Sequence, residues 1–330
     1  MASSWKFAVL SDINYADGLD VAANTLEFLV RDIKNQGVDL VIFPGDMIAG
    51  SKNMTIDKEQ LDSWKAMMKP LYDAEIPIYI IRGNHEADSI MGAFSSLWLN
   101  EFPVMKDLAS PDGGFTYSFT HKNARFVGFD QYINNSEPMM NSWVTTQIND
   151  STSPLNFAFA HVPLFPVSYA HNSVKSSWAD DPKSRDALIS ALGTHHGTYF
   201  AGHEHVYLRV NVSDGQGHKV PELIVGTAGR SNYNYSSEVV SNYTKPENYT
   251  VDKVYGDSTN PYFGYLLVTV YDNNTWTGKF KGYQDTYDMW NTQFPVIQTL
   301  DRFSIPQEQA SRGRLDKTDI FGIIKKYLGI

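Results

Sequence analysis

The chain has 330 residues, of which 42% are hydrophobic, with a formal net charge of −10 and no cysteine. This is enough for one large domain or two modest ones around an aromatic-rich core. The acidic balance leaves no electrostatic footprint for nucleic acid, so no nucleic-acid partner is expected. The missing thiols exclude disulfides, thiolate nucleophiles and thiolate metal sites. No run approaches the ~18 apolar residues of a membrane span. A phosphate ester substrate is not excluded, because bound metals reverse the local field. Any metal would be held by His, Asp, Glu and Asn.

The first half alternates strands and helices. A short apolar strand at Lys6–Leu10 comes first, and no signal-peptide pattern is legible before it. Asp20–Gln36 has helical spacing through Leu26, Leu29, Val30 and Ile33, and Gly37 ends it. Leu40–Phe43 is the next strand, Asp57–Tyr72 the next helix and Ile76–Ile81 a third strand. This βαβαβ order implies a parallel sheet.

The middle changes character. Phe115–Phe119 and Arg125–Asp130 read as antiparallel strands about a polar turn at His121–Asn123. A helix near Met140–Ile148 leads to a strand at Asn156–Ala160. Helix Lys183–Leu192 leads to a strand at Tyr199–Ala201. Strands follow at Tyr207–Val212, Glu222–Gly226, Phe263–Tyr271 and Thr275–Tyr283. The polar, Tyr/Asn-rich stretch Ser231–Thr259 reads as an ordered loop or insertion. Residues 1–310 are expected to form one domain. Residues 311–330 are expected to be an amphipathic helix, with Ile320, Phe321, Ile323, Ile324, Tyr327 and Leu328 on its apolar face. That helix either docks on the body, makes oligomer contacts or anchors to a surface.

Five short motifs stand in order, each after the carboxyl end of an expected strand: Asp12-Ile13-Asn14, Gly45-Asp46, Gly83-Asn84-His85-Glu86, His161 and Gly202-His203-Glu204-His205. Strand ends of such sheets present loop side chains to a common crevice. Two divalent cations about 4 Å apart clamp the attacking and leaving oxygens of an in-line displacement. Holding them that close needs an anionic bridge, which one Asp can supply. Imidazole and carboxylate or amide oxygen suit the remaining positions. Glycine before Asp46, Asn84 and His203 is expected to let the backbone turn tightly off each strand.

In this order the motifs resemble the calcineurin-like metallophosphoesterases, over about residues 5 to 212. The resemblance implies an α/β fold, a four-layer α/β/β/α sandwich with two mixed β-sheets. It also implies a catalytic domain binding two divalent metal ions (Mn, Fe, Zn or Mg). Carried over by motif, Asp12 and His205 hold one metal, Asn84, His161 and His203 hold the other, and Asp46 bridges them. His85 contacts the phosphate and stabilises the transition state or protonates the leaving oxygen. The reaction implied is hydrolysis of a small phosphorylated substrate by in-line attack of a metal-bridging hydroxide.

The first motif departs from the family pattern, since Asn14 stands where His is usual. Asn14 is a candidate ligand through its amide oxygen, with Tyr15 beside it as a substitute, and a harder ion such as Mn or Mg is favoured. The purple acid phosphatase branch also lacks that His and uses a Tyr three residues after the bridging Asp. That position is Ala49 here. The stretch from Gly202 to Arg209 nevertheless looks like the Gly-His-x-His-x-Tyr-x-Arg run of that branch. His171, ten residues after His161, falls near its substrate-facing His and is a candidate general acid, against the plainer reading of a surface His. Asp12 to Asp17 also looks like the first motif of manganese-dependent ADP-ribose/CDP-alcohol pyrophosphatases. His121, His195, His196 and His218 have no motif partner.

Three functions stay open. They are a phosphomonoesterase, a phosphodiesterase or nucleotide pyrophosphatase of the same fold, and a catalytically inactive scaffold. Pocket walls are expected from Asp88–Asp112, His171–Asp181 and Ser231–Thr259. Asn-x-Ser/Thr occurs at Asn53, Asn134, Asn149, Asn211, Asn234, Asn242, Asn248 and Asn273. These are either an accident of Asn-rich loops or the mark of a secreted, glycosylated protein, extracellular or periplasmic. The lack of Cys fits a bacterial or archaeal export better than a eukaryotic one.

Overall fold

The computed structural model describes residues 3–16, 20–132, 141–171, 181–285 and 295–305. The opening forms as its periodicity predicts. β1 (Ser4–Val9), β2 (Leu40–Phe43) and β3 (Ile78–Ile80) lie parallel and adjacent, joined through α1 (Asp20–Asn35) and α2 (Met54–Tyr72). α2 starts at Met54 rather than Asp57 because Asn53 caps it, its side-chain oxygen accepting from Thr55 N at 2.9 Å. Three short helices follow: α3 (Asn84–Asp88), α4 (Ile90–Ala93) and α5 (Ser95–Glu101).

The antiparallel pair is β4 (Tyr117–His121) and β5 (Ala124–Gly128). β4 begins later than the expected Phe115 because Asp112 Oδ1 accepts from the N–H groups of Phe115 and Thr116, which holds them in a turn. Then come α6 (Asn141–Asn149), β6 (Leu155–Phe159), α7 (Pro182–Thr194), β7 (Thr198–Ala201), β8 (Tyr207–Ser213) and β9 (Lys219–Val225). Ser231–Thr259 is not simply a loop. It contains α8 (Ser237–Ser241) and β10 (Tyr249–Tyr255), which pairs antiparallel with β8. β11 (Tyr262–Tyr271), β12 (Trp276–Gln284) and β13 (Gln298–Ile305) complete the set. The expected helix at 311–330 lies outside the described residues.

The strands make two mixed sheets, ordered β13-β12-β11-β1-β2-β3 and β10-β8-β9-β7-β6-β5-β4. β1 is parallel to β2 and antiparallel to β11. β7 is parallel to both β6 and β9.

The central strands are buried on both faces, and their period of two sorts side chains between those faces. Phe126, Phe157, Phe200, Leu223 and Val225 face the other sheet. Val127, Ala158, Tyr199, Ala201 and Ile224 face α6 and α7 through Val144, Ile148, Leu188 and Leu192. Phe7 of β1 is wholly buried between the sheets, with ring centroids 5.3 Å from Phe126 and 5.2 Å from Phe157. Each such ring contributes about 1.5–3 kcal/mol by leaving water. On the far side, Leu26, Leu29, Leu61 and Trp64 of α1 and α2 cover the first sheet. The result is the four-layer α/β/β/α sandwich. Among the described residues, no helix is long and apolar enough to cross a membrane.

Candidate metal centre

The two sheets present their carboxyl-end loops on the same edge, and the backbone stitches them there. Ser11 N donates to Val225 O at 3.2 Å, Asn14 N to Asp46 O at 2.9 Å and Gly202 N to His161 O at 2.9 Å. Where β3 and β5 end, Arg82 Nε donates to Asp130 Oδ2 at 2.6 Å in a buried pair.

Among the described residues, nine that are not glycine have positive φ. Five of them are Asp12 (66°), Asn14 (47°), Asp46 (56°), His203 (69°) and His205 (42°). Such conformations cost on the order of 1–3 kcal/mol each and gather at functional sites. The expectation that glycine makes these turns therefore needs revision. Gly45 does have a φ of +87°. Gly83 and Gly202 matter for space, since a Cβ on Gly83 would overlap Asp46 Oδ1 and one on Gly202 would overlap Asp12 Oδ2. The left-handed residues are the polar ones themselves.

The side chains converge in two groups around Asp46. In one, His161 Nε2, His203 Nδ1 and Asn84 Oδ1 lie 3.1 Å from one another, and His161 Nε2 is 3.4 Å from Asp46 Oδ1. In the other, Asp12, Asp46 and His205 each offer a ligand atom within 4.8 Å of the other two. Asn14 joins that group, donating from Nδ2 to Asp46 Oδ2 at 2.8 Å while its buried Oδ1 has no partner.

The tautomers suit this arrangement. His161 Nδ1 faces Pro44 O at 2.7 Å and His205 Nδ1 faces Ser231 O at 3.1 Å, so in each ring Nε2 is the nitrogen turned inward. Acceptors converging this closely, with an orphaned amide oxygen beside them, fit hard or borderline divalent cations.

The ionisable groups interact strongly, and a bound cation would displace the protons they otherwise hold. Burial pushes Asp12 up to about 7 against the pull of His161. Burial also works against ionised Asp46, but His161 holds it well below the usual carboxylate range. His161 is raised to about 10, because the charge of Asp46 outweighs its own burial. Burial depresses His205 to about 3 and His203 well below its ordinary value, leaving both neutral.

His85 sits at the rim, its side chain 36% exposed. Its Nδ1 faces Ala49 O at 2.7 Å and its Nε2 lies 3.9 Å from Asp46 Oδ2. Position 49 thus contributes a carbonyl that orients His85. Tyr15 is tied to the turn that follows Asp46. Its backbone pairs with Met47, Ile48 and Ala49, and its ring packs on the core. His171 does arrive there, its ring stacked on His203 with centroids 3.7 Å apart.

His121 and His218 lie elsewhere, facing Asp39 and Asp214. His195 is the C-cap of α7 and His196 follows it. Tyr207 and Arg209 both bind Asp301 of β13, at 2.9 Å.

Several residues were not read from the motifs. Glu86 is wholly buried and accepts from the N–H groups of Asp46, Met47, Ile48 and Gly83 at 2.7–3.0 Å. It clamps the Asp46 turn to the Asn84 turn, and its place in Gly-Asn-His-Glu was the available signal. Tyr132 lies beside His161, and Tyr233 stacks on His205 with centroids 4.3 Å apart. Neither carries a sequence signal.

The calcineurin-like phosphoesterase family profile matches residues 6–207, so the chain belongs to that family. No curated protein matches the chain. Among solved structures it is similar to purple acid phosphatase PPD1 from yellow lupin, at 16% identity and a TM-score of 0.64, covering 94% of this chain and 55% of that one. It is also similar to PhoD, at 15% identity and a TM-score of 0.65, covering 93% and 70%. A dimetal phosphatase from Danio rerio gives 16% identity and a TM-score of 0.54, covering 91% and 98%. These likenesses establish the shared fold. The chain spans little more than half the length of the lupin enzyme.

Proposed function

We propose that this metallophosphoesterase holds two divalent ions and hydrolyses phosphomonoesters. The observation that carries the reading is that two groups of candidate ligands meet on one buried carboxylate. His161 and, through it, Asn84 and His203 lie toward Asp46 Oδ1, while Asp12 and His205 bring ligand atoms within 4.8 Å of an Asp46 oxygen. Cations held there supply Lewis-acid charge to phosphoryl oxygens and lower the pKa of water.

The chain's own residues do the rest. Asp12, Asn14 and His205 present donors on one side, and Asn84, His161 and His203 on the other, with Asp46 between. His85, fixed by Ala49 O, directs Nε2 toward the place where phosphoryl charge develops. His171, packed on His203, stands at the same rim to meet the leaving oxygen. The buried Glu86 clamp holds this geometry before substrate arrives.

A diester or nucleotide pyrophosphate substrate is the second reading. It is favoured by the tyrosine walls at Tyr132 and Tyr233, which suit an aromatic group beyond the phosphate. Relative rates on p-nitrophenyl phosphate, bis-p-nitrophenyl phosphate and ADP-ribose separate the two. A negligible monoester rate beside the others overturns the first. The scaffold reading requires lost ligands, whereas every candidate position here carries a donor. Fewer than one metal per chain, with no turnover in added Mn, would restore it. Export is supported by the exposure of Asn53, Asn149, Asn234, Asn242 and Asn273, where glycans have room. Mass analysis of the protein from its native source tests that placement.

A further inference from the structure

Glu204 occupies the variable position between His203 and His205. Successive side chains diverge there, and its carboxylate reaches the segment that follows β6. Glu204 is wholly buried. Its Oε1 accepts from Val167 N at 2.9 Å and its Oε2 from Ser168 Oγ at 2.5 Å. Oε2 also lies 3.4 Å from His171 Nδ1, a buried nitrogen that makes no hydrogen bond. A second buried acid, Glu222, accepts from Leu164 N at 2.7 Å in the same segment. The His171 ring is sandwiched by geometry, stacked on His203 and edge-on to Tyr233 at 5.1 Å.

We propose that Glu204 is a positioning residue that fixes the ring and tautomer of His171, so that His171 Nε2 faces the leaving group. This rests on the reading of His171 as a group that meets substrate. The carboxylate takes the Nδ1–H, and when the ring is protonated Nε2, at the opposite edge, passes its proton to the leaving oxygen, so that the neutral ring left behind keeps its Nδ1–H on Glu204. A carboxylate holding an imidazole in one tautomer is a recurring catalytic device. Here the peptide strand that supplies the candidate ligands His203 and His205 also carries that carboxylate. The leaving-group contact is thereby held in register with the metal centre.

The test compares Mn-loaded wild type with Glu204→Gln, His171→Asn and the double variant on two monoesters. One is p-nitrophenyl phosphate, whose leaving group needs no proton, and the other is an alkyl phosphate, whose leaving group does. Glu204→Gln and His171→Asn should each lower kcat on the alkyl ester by roughly 10- to 100-fold. Each should lower the nitrophenyl rate by clearly less than the alkyl rate, and the double variant should be no worse than His171→Asn alone. Equal losses on both esters, or additive losses in the double variant, overturn the proposal. Ring-nitrogen NMR of the Mg-loaded wild type should show His171 protonated at Nδ1. This needs no substitution at position 204, so it stands even if Glu204→Gln fails to fold, and an Nε2–H tautomer overturns the proposal. Absence of turnover by wild type on any phosphate ester would sink the enzymatic reading, while the NMR result still decides the Glu204–His171 relationship.

Discussion

Asn14 binds Asp46 Oδ2 through its amide nitrogen at 2.8 Å, and its own buried Oδ1 is left without a partner. One side chain thus orients the shared carboxylate and offers a free oxygen to the same cavity. Replacing it by His supplies a stronger donor for a borderline cation. Asn14→His should tighten the weaker of two metal-binding steps by roughly tenfold, as measured by calorimetric titration with Mn or Zn. Unchanged affinity would remove Asn14 from the ligand set.

Gly83 and Gly202 give a second prediction. A methyl group at either has no room beside Asp46 or Asp12. Neither glycine needs a positive φ, but a Cβ on Gly83 would also meet the Asp46 backbone nitrogen, whereas one on Gly202 first meets side-chain atoms of Ser11 and Asp12. Gly202→Ala should therefore fold and lose bound metal, read by elemental analysis of the purified protein. Full metal content in this variant would show that Asp12 is not where an ion binds.

The Glu86 clamp gives a third. Removing its carboxylate leaves four buried N–H donors to satisfy elsewhere, each worth about 1–3 kcal/mol when orphaned. Glu86→Ala should lose on the order of 3 kcal/mol or more of stability by urea unfolding. Glu86→Gln, which keeps one acceptor oxygen, should lose less. Equal, small effects from both would contradict the clamp.

A fourth concerns pH. Burial raises Glu222 to about 8, helped by the nearby charge of Glu204 and opposed by Leu164 N–H. The folded value lies above the ordinary 4.5. The fold therefore favours the protonated acid, and this contribution is complete below about 4.5 and fades as pH rises through about 8. The melting temperature of wild type should fall across that window, by the equivalent of a few kcal/mol, roughly. Glu222→Gln should flatten the decline, whereas a parallel decline in the variant would rule Glu222 out as its source.

The sequence made much of this legible. Asp12, Asp46, Asn84, His161, His203 and His205 each follow a strand whose apolar run is plain, so chain order alone placed them on one edge. The helices α1 and α2 showed themselves through apolar spacing. β10 and β13 did not, because edge strands keep polar residues on the solvent face and Thr250, Asp252 and Arg302 break the apolar run. The clamps of Glu86 and Glu204 were hidden for another reason. Their partners are backbone N–H groups and a distant hydroxyl, which leave no trace in residue identity. Tyr132 and Tyr233 meet the site only through tertiary packing.

The most direct measurement is the Mn-dependent kcat/KM on p-nitrophenyl phosphate for wild type and Asp46→Ala, side by side. Wild type should turn over substrate only with metal, and Asp46→Ala should fall by at least about a thousandfold while remaining folded. Metal-independent turnover by wild type, or an Asp46→Ala variant that keeps most of its rate, would contradict a phosphoesterase centre built around Asp46.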